Sequence, residues 1–154
     1  MVAIRVSPSG AFQEVASGGA ANVAVLVTPA SIDVLGPAPD FQPISAELVV
    51  ALVNTSAVPI VAELVVNTAN NNAFGIGLRI TFSTNGVLWT PLPGASLVDV
   101  DSAINRTHLV VMGAVSAVGN VQFRAEWTAF GDTGTWEILA TESGSACLSA
   151  WPAS

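Results

Sequence analysis

Tyrosine is absent from this chain of 154 residues, and cysteine occurs once, as Cys147. A single thiol makes no intrachain disulfide, so a cross-linked scaffold is excluded and an apolar core must hold the fold. Charge is also scarce: 10% of residues are charged, against about 25% in ordinary soluble domains. Such a surface is covered by Thr, Ser, Asn and Gly, or is hidden against other subunits. Lysine is missing too. The cations are Arg5, Arg79, Arg106 and Arg124, scattered among eleven carboxylates for a net charge of −7. Phosphate neutralisation needs a clustered basic surface, so nucleic acid is excluded as a partner. Long apolar runs are lacking as well. Glu47, Asn54, Pro59 and Glu63 interrupt the most apolar window, residues 46–66, which excludes a spanning helix. The aromatic girdles of a small outer-membrane barrel have no tyrosine to build them. Met-Val-Ala-Ile-Arg-Val lacks the basic start and apolar run of a secretory signal, which leads to the expectation of a chain made and kept in a cytoplasm.

What is present is alternation. Phe74, Ile76, Leu78, Ile80 and Phe82 alternate with Gly75, Gly77, Arg79, Thr81 and Ser83, the period of two of a half-buried strand. Ser83-Thr84-Asn85-Gly86 follows, and Asn-Gly supplies the positive φ angles of a tight hairpin. Val87-Leu88-Trp89-Thr90 is therefore expected to return antiparallel, with Pro91 and Pro93-Gly94 ending that strand. A second clear strand places Val121, Phe123, Ala125, Trp127 and Ala129 opposite Gln122, Arg124, Glu126 and Thr128. Gly131-Asp132-Thr133-Gly134 is expected to turn it back into a strand around Trp136, and a last short strand spans residues 146–151.

Shorter strands are expected at Val2, Ile4 and Val6, at residues 11–16 and at residues 22–28, with Ser17-Gly18-Gly19-Ala20 as a joint before the last of these. Pro29, Gly36, Pro37, Pro39 and Pro43 are expected to forbid a regular ladder and favour an extended connection over a surface. Ala46-Glu47-Leu48-Val49-Val50 recurs as Ala62-Glu63-Leu64-Val65-Val66, which suits two neighbouring strands joined by a turn at residues 56–59. Strands are also expected at residues 97–101 and 108–112, and no convincing helix is found. The fold class that follows is all-β, an antiparallel β-sandwich or jelly roll with short turns and an extended N-terminal segment. Residues 1–43 supply N-terminal strands and an arm or linker, and residues 44–154 the sandwich body.

No catalytic constellation emerges. His108 begins an apolar strand with no G-x-S-x-G near it, and reads as a strand-end histidine at a surface or subunit contact. Cys147 reads as a small buried thiol. Asp99, Asp101 and Asn105 offer oxygen ligands but lack the glycine and closing glutamate of a calcium loop. Glu126 and Glu137, on the two arms of an expected hairpin, read as cross-strand acids on a solvated face rather than a glycosidase pair. The expectation is a protein that is not an enzyme and needs neither cofactor nor metal. Of the four tryptophans, Trp127 and Trp136 fall on apolar faces, while Trp89 and Trp151 are freer. Trp89, Trp151, Trp136 and His108 are the candidates for an interface or a ligand platform.

Two resemblances extend this reading. Ser83-Thr84-Asn85-Gly86-Val87-Leu88-Trp89 is similar to the Asp-box of sialidase-like propellers, with Asn in place of the acid and one residue fewer before Trp; it implies a turn geometry and no activity. The arm-like start through Pro43, followed by a compact run of strands from Ile44 to Trp151, resembles the small decoration or cement proteins of tailed-phage capsids. That resemblance implies a trimer on a lattice of major capsid protein, with the N-terminal segment reaching neighbouring subunits and no catalytic residue. The expected function is thus a virion structural protein, a decoration protein or small jelly-roll capsid subunit, made in the host cytoplasm and assembling as a symmetric homo-oligomer. The alternative is a carbohydrate- or receptor-binding β-sandwich whose partner is a glycan.

Overall fold

The structure, a computed structural model, describes residues 3–6, 12–15, 22–26, 30–33, 41–56, 58–71, 75–99, 107–130, 135–138 and 146–153. Phe74, Asp101, Asn105 and the expected joints at residues 17–20 and 131–134 lie outside the described residues. In chain order the strands are β1 (Ala3–Val6), β2 (Phe12–Val15), β3 (Asn22–Leu26), β4 (Ala30–Asp33), β5 (Gln42–Pro43), β6 (Val49–Asn54) and β7 (Ile60–Asn71). They continue as β8 (Gly75–Ser83), β9 (Thr90–Asp99), β10 (Thr107–Val115), β11 (Gly119–Phe130), β12 (Thr135–Ile138) and β13 (Ala146–Pro152). Every pairing is antiparallel, and among the described residues there is no helix. The chain is an all-β jelly roll of two principal sheets, with β1 and β2 paired apart from both.

The first sheet is built on the long strand β7. One edge of β7 carries β10, and the other carries β13 and β12 in succession, with Ile138 opposite Thr68 and Ala146 opposite Val66. Beyond them lie β3 against β13 and β4 against β12. The second sheet is built on β11, with β5 and β6 in succession on one edge and β8, then β9, on the other. Alternation explains how the two sheets meet. Ile60, Ala62, Leu64 and Val66 of β7 and Val121, Phe123, Ala125 and Trp127 of β11 all point inward and are buried, joined by Val50, Leu52, Leu78, Ile80, Leu109, Val111 and Leu148. Each large side chain so buried contributes roughly 1.5–3 kcal/mol.

Both open sides of the sandwich are closed. On one side the Asn22 side-chain amide of β3 donates to the Ala51 carbonyl of β6. On the other, β9 swings across to β10 through a bulge. Its register against β8 jumps from Arg79–Ser96 to Thr81–Pro91, and Gly94 within the bulge has φ of 79°. Pro91 and Pro93 therefore lie inside β9 instead of ending it. They are tolerated because β9 is the outer strand of its sheet, where a missing N–H costs no ladder bond.

Four further expectations are corrected. Val87, Leu88 and Trp89 belong to the turn, and the return strand begins at Thr90. The duplicated segments are not neighbours: Leu64 and its flanking residues lie in β7 of the first sheet, while the earlier copy runs from a turn at Ala46 and Glu47 into β6 of the second. The strand around Trp136 does not fold back on β11 but crosses to the first sheet, between β7 and β4. Within the proline-rich segment, Ala30–Asp33 does form a short ladder.

Gly113 of β10 marks the tightest approach between the closing strands. A Cβ there would lie 2.5 Å from the Pro93 carbonyl oxygen and 2.8 Å from the Ala95 Cβ. Gly113→Val is expected to force β9 and β10 apart and to lower unfolding free energy by about 2 kcal/mol, read as an earlier urea midpoint at unchanged slope.

Candidate functional site

The two sheets present very different outer faces. On the first, the registers align the outward residues in rows: Val110, Val65, Cys147 and Val25; then Met112, Glu63, Ser149 and Val23; then Ala114, Val61 and Trp151. Val110 and Met112 are 48% and 54% exposed, and Val23 and Val25 are exposed as well. Glu63 is the one charged residue in these rows. Burial, and secondarily the nearby Glu63 carboxylate, raises the Cys147 thiol above its ordinary range, so it stays protonated and poorly nucleophilic.

The outer face of the second sheet is polar but covered. Glu126 on β11 is only 2% exposed, and its carboxylate accepts from two guanidinium groups on either side. Arg79, directly opposite on β8, donates through Nε and Nη2 to Oε2, each at 2.7 Å. Arg124 donates through Nε to Oε1 at 3.0 Å and also through Nη2. The Thr81 hydroxyl reaches Oε1 at 3.3 Å. Aromatic rings cap both cations: the Arg79 guanidinium carbon lies 4.2 Å from the Phe41 ring centroid, and that of Arg124 lies 4.2 Å from Trp89. A buried carboxylate is tolerable only with such full pairing.

The turn between β8 and β9 is set by its own side chains. The Ser83 hydroxyl accepts from the Gly86 N–H at 2.9 Å and from the Asn85 N–H at 3.3 Å. The Asn85 side-chain oxygen accepts from the Val87 and Leu88 N–H groups, both at 2.9 Å. Gly86 has φ of 74°, the positive angle expected of it. The result holds Val87 and Leu88 outward, 83% and 71% exposed. Exposed Val53 and Val118 lie at the same end of the sandwich, since Val53 opposes Asn120 and the Asn54 amide grips the Ala117 carbonyl at 2.7 Å.

The expected platform residues are therefore dispersed. Trp89 is half-buried over Arg124 beside the second sheet, and Trp151 is half-buried on the outer face of the first. Trp136 pairs with Asn70 at the far end of β7 from Trp151, and His108 opposes Asn67; the side chains of both lie outside the described residues. Glu126 and Glu137 do not share a hairpin, and Glu126 is a buried hub rather than a solvated acid. Two of the arginines read as scattered converge on it. The available signal was their outward position on the two most regular strands, where antiparallel pairing brings opposite charges together. The Asp99 side chain is outside the described residues, as are Asp101 and Asn105. Among the described residues no cluster of His, Cys, Asp and Glu could hold a metal, and no helix is long and apolar enough to cross a membrane.

Replacing Glu126 by Gln leaves two partly buried guanidinium groups facing a neutral amide. The expected loss is about 3 kcal/mol in chemical unfolding. A change under about 0.5 kcal/mol would mean that the arginines rest mainly on Phe41 and Trp89.

Neither the comparison with protein families nor that with curated proteins gives a match. Among solved structures, the chain is similar to the crystal structure of murine APRIL at pH 5.0, with 10% identity, a TM-score of 0.52, and coverage of 84% of this chain and 96% of that one. The pH 8.5 structure of murine APRIL gives 8% identity, the same TM-score of 0.52 and the same coverage, 84% and 96%. At this identity the likeness shows the fold, a jelly roll spanning most of the chain.

Proposed function

We propose that this chain is a non-enzymatic structural subunit that associates with copies of itself through the outer face of the β10–β7–β13–β3 sheet and serves as a capsid decoration protein on a virion. The observation that carries the self-association is the set of three aligned rows around Val65, Glu63 and Val61, where exposed Val110, Met112, Val23 and Val25 flank half-buried Val65, Cys147 and Trp151. Contiguous apolar surface of this kind is the usual mark of a contact between protein chains. A chain with 10% charged residues gains solubility by covering it.

A closed ring of three copies is the arrangement implied by the resemblance to decoration proteins, and closed point-group symmetry is the usual outcome when identical chains share one interface. Decoration requires a second surface for the lattice. The loop end bearing Val53, Val87, Leu88 and Val118 supports that requirement, because it lies at the tips of the strands and not on the sheet face itself.

Light scattering across a dilution series tests the association. The expected mass is a fixed multiple of the chain mass, 15.6 kDa, insensitive to moderate salt because the contact is mainly apolar. Met112→Glu, which sets a second carboxylate opposite Glu63, is expected to yield monomers that keep the β-sheet spectrum and expose Cys147 to alkylation. Native protein that is monomeric throughout, with Cys147 equally reactive in both forms, would overturn the self-association.

A further inference from the structure

We infer that the Arg79–Glu126–Arg124 cluster is a binding site for a carboxylate-bearing ligand, on the opposite sheet from the self-association face and independent of it. The charge count is the starting point. Two guanidinium groups share one carboxylate, leaving an excess of one positive charge in the cluster as described, within a chain whose net charge is −7. With eleven carboxylates in the sequence, a purely structural cluster could have been balanced by a second acid; among the described residues none is paired here. The hydrogen bonds give the second observation. Each arginine spends its Nε and Nη2 on Glu126. Among the described residues neither Nη1 has a partner, and both side chains keep a solvent edge, at 28% and 22% exposure.

The third observation is preorganisation. Glu126 and the stacked rings of Phe41 and Trp89 fix both guanidinium planes before any ligand arrives. The side-chain entropy ordinarily lost when an arginine grips an anion is therefore already spent in folding. Arginine recognises carboxylates as a planar donor fork, and the half-buried Trp89 indole beside Arg124 adds a surface for the body of the ligand. The ligand class is a small organic acid group, carried either by an acidic sugar or by an acidic side chain.

The test is a titration of the full chain, following the Arg79 and Arg124 Nε–H and Trp89 indole resonances, with sodium acetate, sodium D-glucuronate, an N-acetylated aspartate amide and, as a neutral control, D-glucose. Saturable shifts with the three carboxylates, at dissociation constants of about 1–10 mM, and none with glucose are expected. Glucuronate binding several-fold tighter than the other two assigns the sugar source, and the aspartate derivative binding tightest assigns the side-chain source. Arg124→Lys keeps the charge but not the fork and is expected to weaken binding about tenfold. If that variant does not fold, Arg79→Lys is read in its place. No saturation by any carboxylate at about 100 mM, equal response to glucose, or unchanged affinity in the folded lysine variant overturns the assignment.

Discussion

The interlocking of two inner strand faces is the constraint on which the rest of the structure depends. β7 and β11 each run twelve residues, and each delivers an unbroken inward series, Ile60-Ala62-Leu64-Val66 from one and Val121-Phe123-Ala125-Trp127 from the other. Because side chains alternate strictly, a slip of one residue would send either series to the outside and replace it with Glu63 or Glu126. Register is thereby fixed at the centre of both sheets. The outer strands need only complete what these two begin, through the Gly113 approach on one side and the Asn22 amide on the other.

With the interior settled, the outward residues are released for other purposes, and the two faces diverge. The first sheet turns valines, a methionine and a tryptophan outward around the Glu63 carboxylate. The second turns outward a set of charges and closes aromatic rings over them. Neither arrangement serves the core, whose apolar contacts are complete without them. The proposed self-contact draws on the one face and the proposed anion site on the other.

The sequence disclosed what depends on local periodicity. β8, β11 and β13 were legible because their alternation is uninterrupted, and the turn at Ser83 because the Ser83 and Asn85 side chains bond within their own short segment around a positive-φ glycine. Sheet membership was not legible. Val50 and Val66 close identical pentapeptides yet belong to different sheets, since which strand receives which neighbour is decided by closure of the whole sandwich. The length of the turn was misjudged for a related reason: Asn-Gly permits a two-residue turn, but the Asn85 side chain captures two further amides and carries the chain on to Thr90. Glu126 could be placed on an outward face but not recognised as buried, because its covering rings, Phe41 and Trp89, come from segments distant in sequence.

The succession of β12 and β13 along one edge of β7 gives the fold an unusual freedom. Ile138 and Ala146 are anchored at Thr68 and Val66, separated along β7 by Asn67 alone. The intervening chain thus departs from and rejoins the ladder at almost the same point. Closing a loop between fixed ends costs only about 0.6 kcal/mol for each doubling of its length. Whole peptides, or a small domain with adjacent termini, fit the physical terms of that junction.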